Sequence, residues 1–428
     1  MSPAHTDVAV VGAGAAGLLS ARTLGGRGRR VDVFEGRGRV GGRIWPVVHE
    51  RWPMPLELGA EFIHGAEGPT LSTLASLGVA VDRVRDEHAR YTAHSFRSMG
   101  DTWRRFAKLF AGADPDAEAS AEDFLRRSAL AESDAELFRL IVEGFDAAPL
   151  AEVSLRSVVA EATAAARDAV QFRPKGGYGR LIEGLTVSLP PEHVRIHLSS
   201  PVEAIEWRPG GPCTLTVRQD EGRTTVHADR CIVAVPVGVL QATEGPSRIR
   251  FDPELSSNDF PIAQLAMGHV VKIVLTFEHC QFAKSLPAAD FLHFPGAPFP
   301  TMWREALGAH EQFTAWAGGP HAKRAENYGA RDLVDLAAEQ LASACDAPAS
   351  DVRAALVAAH HHDFSRDPFS LGAYPFARPG GLPSVDVLSR PIGDCLFFAG
   401  DGTDPDHFAT VHAALASGER AAEAVLRL

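Results

Sequence analysis

The chain has 428 residues, 45% hydrophobic and 22% charged, with 42 Lys plus Arg against 54 Asp plus Glu and a net charge of −12. That profile is globular, long enough for two domains, and acidic enough to argue against a nucleic-acid-binding surface. No run approaches 18 apolar residues, and the five cysteines are widely spaced with no C-x-x-C pair, so no membrane span, disulfide framework or zinc site is expected.

The first predicted element is a short apolar strand, Val8 to Val11, starting so early that no signal peptide is expected before it. A cytoplasmic, reducing location follows as an expectation. Gly12, Gly14 and Gly17 then form G-x-G-x-x-G, and a helix of small residues, including Ala16, runs from Ala15 to Leu24. A second strand, "RVDVFE", ends in Glu35. Strand, glycine turn, helix and acid together read as a dinucleotide-binding βαβ unit. The glycines let the backbone approach a pyrophosphate, the helix N-terminus offers free N–H groups, and Glu35 can accept from ribose hydroxyls. NAD and FAD remain equally open at this point.

Next comes "GRGRVGGRIWP", with Arg37, Gly41, Gly42 and Arg43. The glycines permit close backbone approach, and Arg43 can neutralise a phosphate; a solvated basic loop is the plain alternative. "ELGAEFIHG" follows, carrying Gly59, Ala60, Glu61 and His64. The stretch 81–169 is rich in helix formers, as in "SAEDFLRRSALAESDAELFRLIVEGF". Further on, "VVKIVLTF" (270–277) is a strand of buried type with Lys272 inside it. A buried ammonium is costly without a partner, so an exposed edge-strand lysine is the competing reading. "HHHD" (360–363) suggests a metal, but adjacent residues diverge, and no metal site is expected.

These segments, in this order, resemble the flavin amine oxidase superfamily, which includes monoamine oxidases, polyamine oxidases, histone lysine demethylases and L-amino-acid oxidases. The R-x-G-G-R segment, the "ELGAEFIHG" loop, "CIVAVPVGVL" and the C-terminal "LFFAGDGTDPDHFATVHAALASGERAA" carry the likeness. The resemblance implies a mixed α/β fold: a Rossmann-like FAD-binding domain (1–80, 170–250, 365–428) interleaved with a substrate domain of mixed sheet and helices (81–169, 251–364). It implies non-covalent FAD, because Ala373 stands where monoamine oxidases carry their linking cysteine. Val202 would touch adenine through its backbone. Gly400, Asp401, Thr410 and Val411 would meet the flavin's ribityl and pyrimidine end.

Lys272 matches the lysine that holds a water against flavin N5 in many members. Tyr374 matches one wall of the amine-guiding aromatic cage, and Thr410 replaces the other wall. His64 is placed for substrate contact, with Glu61 beside it as a second option. Phe364 replaces a tryptophan, and Asp401 a glutamate. The expected reaction is hydride transfer from the carbon next to an amine nitrogen to N5, imine hydrolysis, and reoxidation by O2 to H2O2. A polyamine-like substrate is favoured, since a demethylase would need additional modules. Alternatives on the same fold are a desaturase or oxidase of a specialised metabolite, an L-amino-acid oxidase with Arg304 as a weak carboxylate ligand, or a flavin-binding relative without chemistry. Monomer and homodimer are both open.

Overall fold

A computed structural model describes residues 4–111, 113–114, 118–278, 280–307 and 310–428. The N-terminal reading gives strand Ala4–Val11, helix Ala15–Gly25 and strand Val31–Phe34. The first strand is central in an eight-stranded sheet, paired in parallel with Val31–Phe34 on one side and Gly222–Val233 on the other. Leu396–Phe398 also joins Gly222–Val233 in parallel, which brings the C-terminal segment beside the N-terminal one. Alternate residues of the first strand enter different cores: Val8 and Val10 pack under helices Ala15–Gly25 and Val411–Leu426, while Ala9 and Val11 pack on the opposite face. Covering on both faces is what a parallel sheet requires.

The two helices meet through glycine. A Cβ on Gly418 would lie 2.4 Å from Ala16 O, and Ser20 Oγ donates to the carbonyls of Ala16 and Gly418 at 2.9 and 2.8 Å. This contact sets the N-termini of both helices at the same cavity.

A second sheet has seven strands, in the order Leu356–His361, Val270–Glu278, His310–Gly318, Thr301–Leu307, Phe291–His293, His88–Thr92, Ser95–Ser98. Ile273, Leu275 and Phe277 bury one face of it against helix Ala330–Ala344. Val270–Glu278 is flanked on both sides, so Lys272 is no edge guard. The helical stretch read from composition divides into Thr102–Lys108, Ala121–Arg127, Glu132–Gly144 and Leu155–Arg167. Asp101, Ser120 and Ser154 accept from the N3 amides of the first, second and fourth of these, the side-chain oxygens satisfying amides that have no helical partner. Among the described residues no helix is long and apolar enough to cross a membrane.

Candidate active site

One cavity of about 790 Å³ lies between the two sheets and the helical stretch. The site residues expected from the sequence line it, except Gly17 and the alternative candidate Arg304. Gly17 serves packing instead: a Cβ there would sit 1.9 Å from Gly12 O. Gly12 has φ +102°, which only glycine adopts easily. Gly14 caps helix Ala15–Gly25, and a Cβ on it would meet nothing within 4 Å. The open space at a helix N-terminus, with Glu35 beyond it, is the cradle an FAD pyrophosphate and ribose need. Glu35 is 4% exposed and holds the loop by accepting from Ala13 N at 2.8 Å and Arg37 N at 2.9 Å.

Arg37 and Arg43 of the glycine-rich loop are engaged within the chain. Arg37 forms an ion pair with Asp367 at 2.6 Å and donates to Ser370 Oγ at 2.8 Å. Arg43 grips Asp401 through two bonds of 2.7 Å and donates to Ala373 O at 2.7 Å. Arg43, expected at a pyrophosphate, thus ties the N-terminal loop to the C-terminal segment. Gly59 lies so close to Arg43 O that a Cβ would be 1.7 Å away. Thr410 caps helix Val411–Leu426, accepting from Ala413 N at 3.1 Å and donating to His407 O at 2.5 Å. Val202 is buried where a register shift interrupts its pairing with strand Cys213–Gln219.

Lys272 is 3% exposed, and its ammonium donates to Glu61 Oε2 at 2.8 Å and Gly59 O at 3.1 Å. Glu61 Oε1 also takes Arg173 Nη2 at 2.8 Å and Trp303 Nε1 at 2.9 Å. The Lys272 ammonium lies 5.5 Å from the Trp303 ring centre. Burial opposes ionisation of Glu61, but the neighbouring cations prevail and hold its carboxyl below the usual range. The buried partner that the strand required is therefore Glu61, from the loop 211 residues away. The sequence showed the anomaly but not its partner, which only the tertiary fold supplies.

Tyr374 OH donates to Phe145 O at 2.5 Å, fixing the ring on the cavity wall. His64 packs edge-on against Phe145 at 5.4 Å. Burial, then the neighbouring His412, pushes the His64 imidazole down to about 4. His412 holds the loop: its Nδ1 takes Thr70 N at 3.0 Å and its Nε2 donates to His64 O at 2.9 Å.

Beside Tyr374 stand two carboxyls that the sequence reading did not single out, Asp146 and Glu161. Each acts on the other's ionisation, and two charges at once are disfavoured there. Desolvation, then the Glu161 charge, raises Asp146 well above the carboxylate range, and enclosure by the cavity raises Glu161, although its side chain is open to the cavity space. Glu161 projects from helix Leu155–Arg167, whose Leu155, Val158 and Ala162 face the core while Ser157, Ala160 and Ala164 face the cavity. That small-residue face with one acid was the only sequence signal for it.

Arg304 does not line the cavity; it reaches Pro287 O at 3.4 Å and Glu311 at 3.9 Å. His360 packs edge-on against His49 at 5.7 Å and His362 bonds Asp367 at 3.0 Å. Among the described residues no three His, Cys, Asp or Glu are grouped to hold a metal.

Fold and site together define a dinucleotide-dependent oxidoreductase with one large cavity beside its parallel sheet. The family model for flavin-containing amine oxidoreductases matches residues 15–426, so the chain belongs to that family. It is an FAD-dependent oxidoreductase acting on amines. Among its relatives, polyamine oxidase 4 of Oryza sativa subsp. japonica is 27% identical over 97% of this chain and 88% of its own. FLOWERING LOCUS D of Arabidopsis thaliana is also 27% identical, but this chain spans only 55% of it. Two solved structures share the fold across 99% of both chains. Putrescine oxidase bound to putrescine has a TM-score of 0.81 at 21% identity, and cyclohexylamine oxidase from Brevibacterium oxydans IH-35A has 0.82 at 19%.

Proposed function

We propose that this protein oxidises amines carrying a second cationic group, diamines or polyamines, and releases hydrogen peroxide. The observation that supports this substrate class is the Asp146–Glu161 pair inside the cavity. Two neighbouring carboxyls on the cavity wall, in both of which protonation is favoured, are placed to exchange a proton for an ammonium. FAD, when bound, supplies the acceptor for a hydride from the carbon next to the amine nitrogen and returns the electron pair to oxygen.

The chain's own residues do the rest. The FAD-holding part comprises 1–80, 170–250 and 365–428, a division supported by the strands these segments give to the eight-stranded sheet. Segments 81–169 and 251–364 form the chamber for the amine. Gly12, Gly14 and Ala16 admit the pyrophosphate, Glu35 takes the ribose, and the Val202 backbone meets adenine. Lys272, clamped by Glu61, presents a fixed ammonium beside the flavin position, where it stabilises charge developing during the reaction with oxygen. Tyr374 orients the reacting nitrogen, with Thr410 too small to complete an aromatic cage. His64 stays neutral and so does not repel the entering cation.

Asp146→Asn and Glu161→Gln test the reading. Each is expected to raise KM for an α,ω-diamine about 30-fold, the loss of one charged contact worth about 2 kcal/mol. Turnover of an n-alkyl monoamine should change little. Equal losses for both substrates would contradict the assignment.

A further inference from the structure

The cavity floor carries a polar chain that the reaction described above does not use. Asp86 Oδ1 and His88 Nε2 are 3.0 Å apart, His88 Nδ1 and His293 Nε2 2.8 Å, and His293 Nδ1 and Thr301 Oγ1 3.1 Å. His88, His293 and Thr301 all line the cavity, and both imidazoles are under a tenth exposed. Donor directions follow from the carboxylate. Asp86 can only accept, so His88 Nε2 carries its proton toward it. With one proton on each ring, His88 Nδ1 accepts from His293 Nε2–H, and His293 Nδ1 from the Thr301 hydroxyl, so every step is a hydrogen bond.

The position is fixed from several sides. Asp86 has φ +59°, a left-handed conformation that Asp tolerates better than most residues. Trp103 Nε1 and Gln171 Nε2 donate to the same carboxylate at 3.0 and 2.6 Å. His88 stacks on Phe291 and His293 with ring centres 4.9 and 5.1 Å apart. Lys272 pairs with Trp316, Trp316 with Thr301, and Thr301 with His293, forming one row across four strands. At about 4.8 Å per strand, Thr301 is about 10 Å from Lys272. The charged groups around the chain are His64, which feels the Asp86 charge, Arg90, ion-paired with Glu136, and Asp290, bonded to Arg85.

We propose that Thr301, His293, His88 and Asp86 form a proton relay that strips the ammonium substrate of the proton it must lose before oxidation. This inference rests on the proposed amine oxidation. An ammonium N–H bond breaks as Thr301 Oγ gains that proton, directly or through one water. Thr301 passes its own proton to His293 Nδ1, and His293 passes its Nε2 proton to His88 Nδ1. No electrons change hands. The amine lone pair is freed, and the positive charge ends as His88 imidazolium against Asp86. An Asp–His pair suits that role because the carboxylate stabilises the imidazolium without itself being protonated. Asp86 and His88 act through Thr301 and are positioning residues.

The test uses the FAD-loaded enzyme, with Thr301→Val, nearly isosteric, and His88→Gly. Flavin reduction by an α,ω-diamine is followed anaerobically from pH 6.5 to above the amine pKa. Both variants are expected to be about 100-fold slower at pH 7, the lower range of general-base effects. They should approach the parent enzyme where the amine in solution is already neutral, and added imidazole should rescue His88→Gly. A loss independent of pH and of imidazole would reduce the chain to a structural network and overturn the relay. Independently of turnover, tert-butylamine has no hydrogen on the carbon next to nitrogen and cannot be oxidised. In ¹⁵N-histidine NMR spectra it should convert His88 to imidazolium in the parent protein but not in Thr301→Val. An unchanged spectrum would overturn the relay even if amine oxidation stands. If His88 titrates with this probe while no amine reduces the flavin, it is the proposed function that fails.

Discussion

Lys272 shows how a single side chain is made tolerable. Its charge is matched by Glu61, and Glu61 is shared with Arg173 and Trp303, so the cluster keeps one net positive charge beside the cavity. Breaking a buried pair on one side costs about 3–5 kcal/mol, but Lys272→Met leaves Glu61 its arginine and indole. The variant is therefore expected to fold and bind flavin. Reoxidation by O2 should slow about 10-fold or more, since a charge-stabilising group is lost, while reduction by amine changes much less. Stopped-flow mixing of the reduced enzyme with oxygen reads this directly, and unchanged reoxidation would remove Lys272 from that role.

Glu57 offers a second residue-level check. Its Oε1 accepts from Tyr178 N at 2.6 Å, and burial lifts its carboxyl to about 7, with Lys272 pulling it back. A folded pKa above the unfolded 4.5 means that the folded state favours the protonated acid. Its contribution to stability is greatest at pH below 4.5 and is lost as pH rises toward 7. Glu57→Gln keeps the acceptor and removes the ionisation, so it should stabilise the protein at pH 8 by up to about 3 kcal/mol. Melting temperatures at pH 5 and pH 8 measure this; parallel shifts at both would contradict it.

At the scale of elements, the N-terminal unit was legible because local and tertiary signals agree. The glycine turn, the small-residue helix and Glu35 each have a local physical reason, and the sheet places them together. The C-terminal helix was legible for the same reason, and Thr410, which lines the cavity, is also its N-cap. Helix Leu155–Arg167 was not legible as a site element. Its alternation of buried Val158 and Ala162 with Ala160, Glu161 and Ala164 reads like any helix with a solvated face. Only the fold shows that the solvated face looks into a cavity. The His88–His293 contact was equally hidden, since it joins residues 205 apart across two parallel strands. Arg43 illustrates the converse, a residue of obvious charge whose partner, Asp401, lies at the far end of the chain.

On the scale of the whole molecule, strands from the N-terminal, middle and C-terminal segments join in one eight-stranded sheet, and both ends of the chain line the cavity. Net charge −12 neither attracts nor excludes a cationic substrate by itself. In the proposed function the selection is local, made by the carboxyl pair at one wall. The measurement that tests this account most directly is anaerobic bleaching of the flavin absorbance by an α,ω-diamine and by the n-alkyl monoamine of equal length. The account predicts rapid bleaching by the diamine at low concentration, and by the monoamine only at much higher concentration. Equal bleaching by both would contradict the assigned substrate class, and a flavin reducible by dithionite but by neither amine would contradict amine oxidation itself.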